Sequence, residues 1–439
     1  MDRRLFMMLA AAGIADPGAN PLPGVGPEPG LSAPAETVDG APKSGSGDPQ
    51  FDAWLQSFFQ RSATAGWPLD LLRQQLGGLT PDPRVTALDG RQPELSKPIG
   101  DYMRAAVSDR TIALGQAKRN QAAWLGPIED RFGVPGQILT AIWGEESAYG
   151  ATQGDMDVIR SLATLAAAGR RRDWAESQIW AALRMIQSGA ATRDQMKGSW
   201  AGAMGQTQMI PEAFLADAVD GDGDGRRDIW GSPADALASA ANLLSHYGWM
   251  RAGGWAREVL LPAGFDYSVT EGPMQTPVAW ALDGVRAAGG PDWSEQDAGA
   301  PAQLITPAGA TGPAFLVFPN HFVIRKYNNS TSYALAVGLL ADRIAGGPPL
   351  AAAWPVEQPM TSQDRIGAQQ ALVSLGFNPG QPDGVIGINT RASVRAWQKA
   401  RGLPADGYLT VELSHRLQSE AATAAAAASP APVSAATRN

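Results

Sequence analysis

The sequence contains no cysteine, and its 439 residues include only three histidines. Without cysteine the chain has no disulfide, no thiolate metal site and no thiol nucleophile, and we expect no lipoprotein anchor. The histidines, His246, His321 and His415, are far apart in the chain and form neither an HxxxH nor an HExxH pattern. Their spacing therefore argues against a zinc hydrolase.

The sequence also lacks long apolar segments and basic runs interleaved with aromatic residues. We therefore expect no transmembrane span in the mature chain and no nucleic-acid partner. The length of 439 residues is enough for two or three domains, and the hydrophobic share of 44% is enough for sizeable cores. The net charge is −8. The 14 tryptophans favour a sugar-binding cleft only weakly, because tryptophan also fills protein cores.

The N-terminal residues have the pattern of an export signal. Arg3 and Arg4 precede an apolar run that is too short to span a bilayer. This pattern predicts a signal sequence over residues 1–15, with the paired arginines indicating the twin-arginine route. The alternative is an N-terminus that is retained and disordered. Residues 16–50 are rich in Pro, Gly, Ala and Ser and predict a disordered linker.

The remaining chain has a mainly helical pattern that is interrupted by one β-rich region. Helical spacing of apolar residues predicts helices over 51–66, 68–76, 101–131, 157–168, 174–188, 233–247 and 331–345. Prolines predict an extended segment over 81–98, and short apolar runs predict antiparallel strands over 259–269, 278–285, 302–309 and 313–328. A linker over 346–360, a small domain over 361–420 and a disordered tail over 421–439 complete the predicted order.

Two adjacent glutamates end a short apolar stretch, VPGQILTAIWGEESAYG, at residues 134–150. Pro135 suits the first position of a helix, where its missing N–H costs nothing. At about 100° per residue, Glu146 falls about 10° from the centre of the apolar stripe and Glu145 about 90° from it. A carboxyl group on the apolar side must be paired or have a raised pKa, and a raised pKa suits a general acid. The alternative is a helix that simply ends in two solvated acids.

A glycine-rich segment with small polar side chains, SWAGAMGQTQMIP, occupies residues 199–211. Its glycines allow the backbone to approach a ligand closely. Ser199, Gln206, Thr207 and Gln208 offer hydrogen-bonding groups for the hydroxyl or acetamido groups of a sugar. A tight helix junction rich in Gly and Ala is the alternative interpretation.

An acidic segment, DGDGDGRRD, occupies residues 220–228 and matches the start of an EF-hand loop. Asp220, Asp222 and Asp224 stand at positions one, three and five, and Arg226 at position seven would offer its backbone carbonyl. Without a cation, these carboxylates would repel one another. The pattern therefore predicts a structural calcium site, with a solvated Asp/Gly turn as the alternative.

The last ligand of this loop is not where an EF-hand has it. Position twelve is Gly231, so the bidentate acid is missing, and Asp235 is the candidate to replace it. Asp235 also fits another role, because Ser232 resembles the N-cap of a helix with an acid at its third position. We predict that Asp235 completes the calcium site.

Several motifs together identify a family resemblance. The sequence is similar to the lytic murein transglycosylase B family, in order and approximate spacing, at GEESAYG, GAMGQTQMIP, DGDGDGRRDIW, ANLLSHYGW and KYNNSTSYALAVGLLADRI. The resemblance covers roughly residues 51–345 and implies a mainly α (α+β) fold, with a lysozyme-like helical catalytic core and a small antiparallel β subdomain. It also implies cleavage of the β-1,4 bond between N-acetylmuramic acid and N-acetylglucosamine in peptidoglycan.

The same resemblance assigns site residues. The catalytic acid falls on Glu146. The substrate-binding residues fall on Ser199, Gln208, Tyr327, Asn328, Tyr333, Arg170 and Arg171, although a third arginine, Arg172, leaves the register of the last two open. The calcium ligands fall on Asp220, Asp222, Asp224, Arg226 and Asp235.

The implied mechanism uses one carboxylate as acid and then base, and it leaves 1,6-anhydromuramic acid ends without consuming water. This mechanism requires no cofactor for the chemistry. The resemblance and the predicted export signal together imply a location in the periplasm of a Gram-negative bacterium. Peptidoglycan glycan strands are the expected partner, and cell-wall synthesis proteins are further candidates. A catalytically silent peptidoglycan-binding scaffold and a hydrolytic muramidase remain the alternatives.

The C-terminal segment resembles a three-helix peptidoglycan-binding domain. Its matching residues are Asp383, Gly384, Gly387, Thr390, Val394, Trp397, Gln398, Gly402, Leu403, Asp406 and Gly407. The DG turns and the threonine would begin short helices. Such a domain would hold the enzyme on the cell wall and raise the effective substrate concentration. A small helical spacer without a ligand is the alternative.

Overall fold

The computed structural model describes residues 45–89, 97–289 and 293–428. The predicted signal sequence over 1–15, most of the predicted linker over 16–50 and the residues after 428 lie outside this range. The described chain divides into two compact units. Among the described residues, the first contains 45–89, 106–253 and 319–348, and the second contains 97–105, 254–289, 293–318 and 349–428.

The α-helices, in chain order, are α1 Pro49–Thr64, α2 Leu69–Leu76, α3 Pro83–Asp89, α4 Ile99–Ala106, α5 Asp109–Gln121, α6 Leu125–Phe132, α7 Gly136–Ser147, α8 Val158–Ala168, α9 Arg172–Gln187, α10 Pro211–Asp217, α11 Pro233–His246, α12 Pro277–Leu282, α13 Glu295–Ala298, α14 Pro319–Tyr327, α15 Thr331–Ile344, α16 Ser362–Ser374, α17 Ile388–Ala400 and α18 Val411–Ala428. The strands are β1 Met156–Asp157, β2 Lys197–Gly198, β3 Ala256–Leu260, β4 Arg286–Ala287, β5 Gln303–Ile305 and β6 Ala314–Val317. Short 3₁₀ helices cover Tyr267–Val269 and Gly309–Thr311.

In the first unit, the helix α7 lies at the centre. Helices α5, α6, α11 and α15 pack around it, and nearly all of its side chains are buried. Side-chain caps define the ends of the neighbouring helices: Asp157 caps α8, Ser232 caps α11 and Ser330 caps α15. The strands β1 and β2 of this unit form a short antiparallel pair.

The second unit contains an antiparallel sheet and a three-helix cluster. The strand order of the sheet is β4-β3-β6-β5, with a core around Trp280 and Phe318. The helices α16, α17 and α18 pack around Trp397. A capping box between Thr361 and Asp364 begins α16. Within the described residues, no helix combines the length and the apolarity that crossing a membrane requires.

Several predicted elements were wrong. The helix predicted over 101–131 is divided into α4, α5 and α6, because Ser108 caps a new helix and the chain turns again after Gln121. The extended segment predicted over 81–98 contains the helix α3, and the strand predicted over 278–285 is the helix α12, which Thr276 caps and Pro277 begins.

Two further boundaries differ from the prediction. The last predicted strand, over 313–328, ends at Val317, and Pro319 begins the helix α14. The disordered tail predicted from residue 421 is helical as far as Ala428, because α18 continues through a run of alanines, the best helix formers.

Candidate active site

The side chain of Glu146 lies in the interior of the first unit, with only 2% of its surface exposed. The hydroxyl group of Tyr333 donates a hydrogen bond to Oε1 at 2.5 Å. The other oxygen, Oε2, is buried and accepts no hydrogen bond from the described residues. One carboxyl oxygen is therefore held in place, and the other has its hydrogen-bonding capacity left for a ligand.

Burial raises the pKa of Glu146 to about 8, because removal from water disfavours the charged form. The hydrogen bond from Tyr333 lowers this pKa, and the nearby charge of Glu145 raises it. At neutral pH the carboxyl group is therefore mostly protonated. This is the state that a general acid requires.

Glu145 differs from its prediction in one respect. The helical phase predicted that it would lie on the flank of the helix, but its exposure is only 4%. Helices pack on both sides of α7, so a residue about 90° from the apolar stripe is also covered. The phase still separates the two directions in which the carboxyl groups leave the helix.

Tyr327 and Tyr333 come from α14 and α15, which follow one another in the chain. The hydroxyl group of Tyr327 donates to the backbone oxygen of Thr207 at 2.5 Å. Burial raises the pKa of both tyrosines well above the ordinary value, and the charge of Glu146 acts in the same direction. Both hydroxyl groups therefore remain protonated donors at physiological pH. Tyr333 contacts the candidate acid, and Tyr327 contacts the glycine-rich segment.

The glycine-rich segment presents Ser199 and Gln208 as buried side chains. The Ser199 hydroxyl accepts hydrogen bonds from the backbone N–H groups of Ala201 at 3.3 Å and Ala203 at 3.1 Å. Gln208 has a left-handed backbone with φ 50° and donates through Nε2 to Gln153 O at 3.1 Å and to Gly205 O at 2.9 Å. Its Oε1 is buried and has no hydrogen-bond donor among the described residues.

The other two polar residues of this segment make contacts inside the protein. Gln206 accepts from Trp143 Nε1 at 2.9 Å and donates from its own Nε2 to Trp230 O at 3.0 Å. The Thr207 hydroxyl donates to Ala236 O at 3.3 Å. These two side chains are therefore less available for sugar contacts than the side chains of Ser199 and Gln208.

The remaining predicted substrate residues have varied surroundings. Asn328 is buried and follows Tyr327 directly at the end of α14. Arg170 is exposed and forms a 2.9 Å ion pair with Asp89. The Arg171 guanidinium lies over the ring of Trp174, and burial lowers its pKa. The contacts described for the two arginines do not connect them with Glu146, so their role remains a prediction.

The acidic loop brings together the four predicted aspartates. Carboxylate oxygens of Asp220, Asp222, Asp224 and Asp235 all lie within 4.8 Å of one another. Asp235 is fully buried and accepts from the N–H groups of Gly221 at 2.8 Å, Asp222 at 3.2 Å and Asp228 at 2.7 Å. The side chain that is predicted to replace the missing twelfth ligand is thus oriented into the loop. The oxygen donor set fits the preference of Ca²⁺.

Replacing Tyr333 by phenylalanine removes the hydrogen bond that stabilises the charged form of Glu146. The pKa of Glu146 should therefore rise further above 8. If protonated Glu146 is required, the alkaline limb of the pH–rate profile should move to higher pH. Measuring initial rates between pH 5 and about 10 checks this, and an alkaline limb that moves to lower pH would contradict it.

Local patterns in the sequence could not reveal two features of the site. Trp143, Ser147 and Gln206 form a hydrogen-bonded group behind the end of α7. The only signal was that Gln206 belongs to the same motif as Gln208. The burial of Glu145 required knowledge of the helices that surround α7.

Comparison with protein families gives two matches along the chain. The model described as "Transglycosylase SLT domain" matches residues 50–342, and the model described as "Putative peptidoglycan binding domain" matches residues 361–417. The first match includes α7, the glycine-rich segment, the acidic loop and both tyrosines.

A curated relative and solved structures are similar to this chain. "Membrane-bound lytic murein transglycosylase B" of Escherichia coli (strain K12) is 32% identical over 225 residues, which are 49% of this chain and 58% of the relative. SltB3 from Pseudomonas aeruginosa, in complex with NAG-anhNAM-pentapeptide, is 45% identical with a TM-score of 0.80, covering 84% of this chain and all of that one. Escherichia coli Slt35 in complex with calcium is 26% identical with a TM-score of 0.57, covering 68% of this chain and 93% of that one.

These neighbours confirm the predicted fold class. The chain is mainly helical with small antiparallel sheets, as in the lysozyme-like SLT structures, and the last part that the structure describes is helical. The matched segment spans somewhat more than half of the length of the curated relative.

Proposed function

Because the chain belongs to the transglycosylase SLT domain family, we propose that it is a lytic transglycosylase of peptidoglycan. Its reaction would be cleavage of the β-1,4 bond between N-acetylmuramic acid and N-acetylglucosamine, with formation of a 1,6-anhydromuramic acid end. The observation that carries the proposal is the carboxyl group of Glu146. It is buried, protonated at neutral pH and held at one oxygen, with the other oxygen open to hydrogen bonding.

In the first half of the reaction, Glu146 acts as a general acid. Its proton passes to the glycosidic oxygen as the bond from this oxygen to the anomeric carbon of the muramyl residue breaks. The leaving group departs as an alcohol, and an oxocarbenium-like centre develops on the muramyl ring. A carboxyl group with a pKa near 8 is suited to this step, because it retains its proton at neutral pH.

In the second half of the reaction, Glu146 acts as a base. The carboxylate formed in the first step removes the proton of the muramyl C6 hydroxyl group, whose oxygen bonds to the anomeric carbon. The 1,6-anhydro ring closes, Glu146 is protonated again, and no water is consumed. The O–H of Tyr333 stabilises the carboxylate between the two steps through its hydrogen bond to Oε1.

The substrate contacts of this proposal come from the glycine-rich segment, from residues between 327 and 333, and from two arginines. Ser199 would donate its hydroxyl proton to the substrate, since its oxygen already accepts two backbone bonds, and Gln208 would accept through Oε1. The full proposed set is Ser199, Gln208, Tyr327, Asn328, Tyr333, Arg170 and Arg171. SltB3 was solved with NAG-anhNAM-pentapeptide, a ligand of the same chemical class, which supports the proposed substrate class.

Mass spectrometry of the soluble products from purified sacculi tests the proposed function. We expect muropeptides with 1,6-anhydromuramic acid ends. Products with ordinary reducing ends would instead identify a hydrolytic muramidase, which uses water as the nucleophile. Sacculi that release nothing, although the protein binds them, would favour the scaffold alternative.

We further propose that the acidic loop holds a structural calcium ion. Asp220, Asp222, Asp224 and Asp235 would supply carboxylate oxygens, and Arg226 its backbone carbonyl. The cation would neutralise the gathered negative charges, and it would take no part in the chemistry at Glu146. The calcium complex of Slt35 supports this proposal.

Saturating calcium should therefore raise the melting temperature of the metal-free protein by roughly 5 °C, since a cation at about 100 times its Kd adds about 2.7 kcal/mol. Asp224→Ala, which removes the ligand oxygen, should lose most of this response. The exposed Asp70, outside the loop, provides the control, and Asp70→Ala should retain it. Equal melting temperatures with calcium and with chelator would contradict the calcium site.

The C-terminal helices α16 to α18 would bind peptidoglycan, as the family match over residues 361–417 suggests. Anchoring on the polymer would raise the local concentration of glycan strands near the catalytic domain. The substrate places the proposed activity in the periplasm, reached through the predicted export signal.

A further inference from the structure

The chain turns through an unusual conformation directly after the candidate acid. Helix α7 ends at Ser147, and the next three residues all have left-handed backbones: Ala148 with φ 49°, Tyr149 with φ 61° and Gly150 with φ 85°. For a residue with a side chain this conformation costs on the order of 1 kcal/mol or more. Other contacts must hold this turn, which begins two residues after Glu146.

The hydroxyl group of Ser147 connects the turn to the glycine-rich segment. Its oxygen accepts a hydrogen bond from the N–H of Gly150 at 2.9 Å. Its proton is donated to the backbone oxygen of Gln206 at 2.5 Å. The last residue of α7 therefore bridges the end of the turn and Gln206.

The side chain of Gln206 supports the same turn from outside. Its Oε1 accepts from the indole N–H of Trp143, which lies one helical turn before Ser147, at 2.9 Å. A Cβ atom added to Gly150 would lie 2.6 Å from this oxygen, so the amide packs directly on the glycine. Gln206 is thus in contact with three positions of the segment that carries Glu146.

Gln206 is itself anchored to the chain that leaves the acidic loop. Its backbone N–H donates to Ile229 O at 2.9 Å, and Nε2 donates to Trp230 O at 3.0 Å. Each polar group of the residue is thus used: the backbone N–H and oxygen, and the amide oxygen and nitrogen. Only 4% of its surface is exposed, so solvent does not compete for these bonds.

We propose that Gln206 is a positioning residue that holds the left-handed turn after α7 and thereby sets the orientation and burial of the Glu146 carboxyl group. Gln206 acts through Trp143, Ser147 and Gly150 and does not itself touch the substrate. The catalytic part of this inference rests on the proposed function. Its structural part concerns the environment of Glu146 and is measurable without substrate.

The test compares Gln206→Met with a matched control, Gln178→Met. Methionine keeps the approximate length of glutamine and removes both amide groups. Gln178 is also a buried glutamine of the first unit, and its amide bonds to both the side chain and the backbone N–H of Glu212. Loss of its bonds should lower the melting temperature without changing the surroundings of Glu146.

The first readout is the titration of the Glu146 carboxyl carbon by ¹³C NMR, assigned with Glu146→Gln. In Gln206→Met the turn relaxes and water reaches the carboxyl group, so the midpoint should fall by about one pH unit or more. Gln178→Met should keep the wild-type midpoint. If Gln206→Met also kept it, the positioning role would be refuted, whether or not the protein is an enzyme.

The second readout is steady-state kinetics on sacculi. Displacing the acid by about 1 Å should lower kcat roughly 100-fold while KM changes little. Trp143→Phe removes the indole N–H together with part of the ring that packs against Tyr149, and it should act in the same direction, with a double variant no worse than the stronger single one. Additive effects would refute action through Trp143. If the wild-type protein released no muropeptides but Gln206→Met still lowered the titration midpoint of Glu146, the proposed function would be refuted and the positioning role would be supported.

Discussion

Glu146→Gln is expected to lower muropeptide release by about 10³-fold or more, because the amide neither donates a proton to the glycosidic oxygen nor accepts one from the C6 hydroxyl. The side chain keeps its shape and can still accept the hydrogen bond from Tyr333. Binding to sacculi should therefore remain close to wild type. The measurement is the initial rate of release at saturating sacculi.

Glu145→Gln provides the matched control for this experiment. It changes the adjacent buried carboxyl group in the same helix and removes a charge that raises the pKa of Glu146. We expect its activity to stay within about tenfold of wild type, since the proton-transferring group is unchanged. Equal losses in the two variants would contradict the assignment of Glu146 as the single acid and base.

Gly198→Ala is expected to disrupt the segment that presents Ser199. A Cβ atom at Gly198 would overlap the backbone oxygen of Ala203, which accepts the N–H of Ser199 at 2.8 Å. Relieving the overlap must move this loop or the paired strands β1 and β2. The free energy of unfolding should fall by about 1–3 kcal/mol, and activity should fall at least tenfold.

Chemical denaturation and release assays on the same samples check this prediction. Gly126→Ala is the control, because a Cβ atom there meets nothing within 4 Å and the residue lies in the helix α6. That change should be neutral or stabilising by up to about 1 kcal/mol. A Gly198→Ala protein with the stability and activity of Gly126→Ala would show that the loop tolerates the displacement.

The direction of Glu146 could be predicted from the sequence because helical phase is a local property. The pattern of apolar residues before it is sufficient to orient a carboxyl group on one face. The partner that holds it, Tyr333, is 187 residues away in the chain, and no local pattern determines which residues so distant come together. Only the family resemblance placed this tyrosine at the site.

In the acidic loop, too, the sequence pattern predicted the local arrangement but not the distant partner. The spacing of Asp220, Asp222 and Asp224 predicted a cation site, but helix capping explained Asp235 equally well. In the structure Asp235 lies within the first turn of α11, and its side chain accepts three backbone N–H groups of the loop. Asp235 joins the acidic cluster because of the way α11 packs, and the periodicity of the sequence does not predict this packing.

The sequence predictions were wrong where tertiary contacts, and not the local pattern, determine the secondary structure or the role of a residue. Apolar residues over 278–285 suited a strand, but a capped proline begins α12, which buries Trp280 and leaves Leu282 exposed. The role of Gln206 was hidden for another reason. A glutamine beside Gln208 in a glycine-rich motif looks like a second sugar contact until its four hydrogen bonds are known.

The pH dependence of unfolding tests most directly whether Glu146 is buried with a raised pKa. Between about pH 4.5 and 8, folded wild type keeps a proton that the unfolded chain releases, so its stability falls as pH rises through this window. Glu146→Gln lacks this loss. Its free energy of unfolding relative to wild type should therefore increase by roughly 1.4 kcal/mol per pH unit and level off above pH 8. A difference that stays constant from pH 4.5 to 8 would contradict the raised pKa and, with it, the role of Glu146 as a general acid at neutral pH.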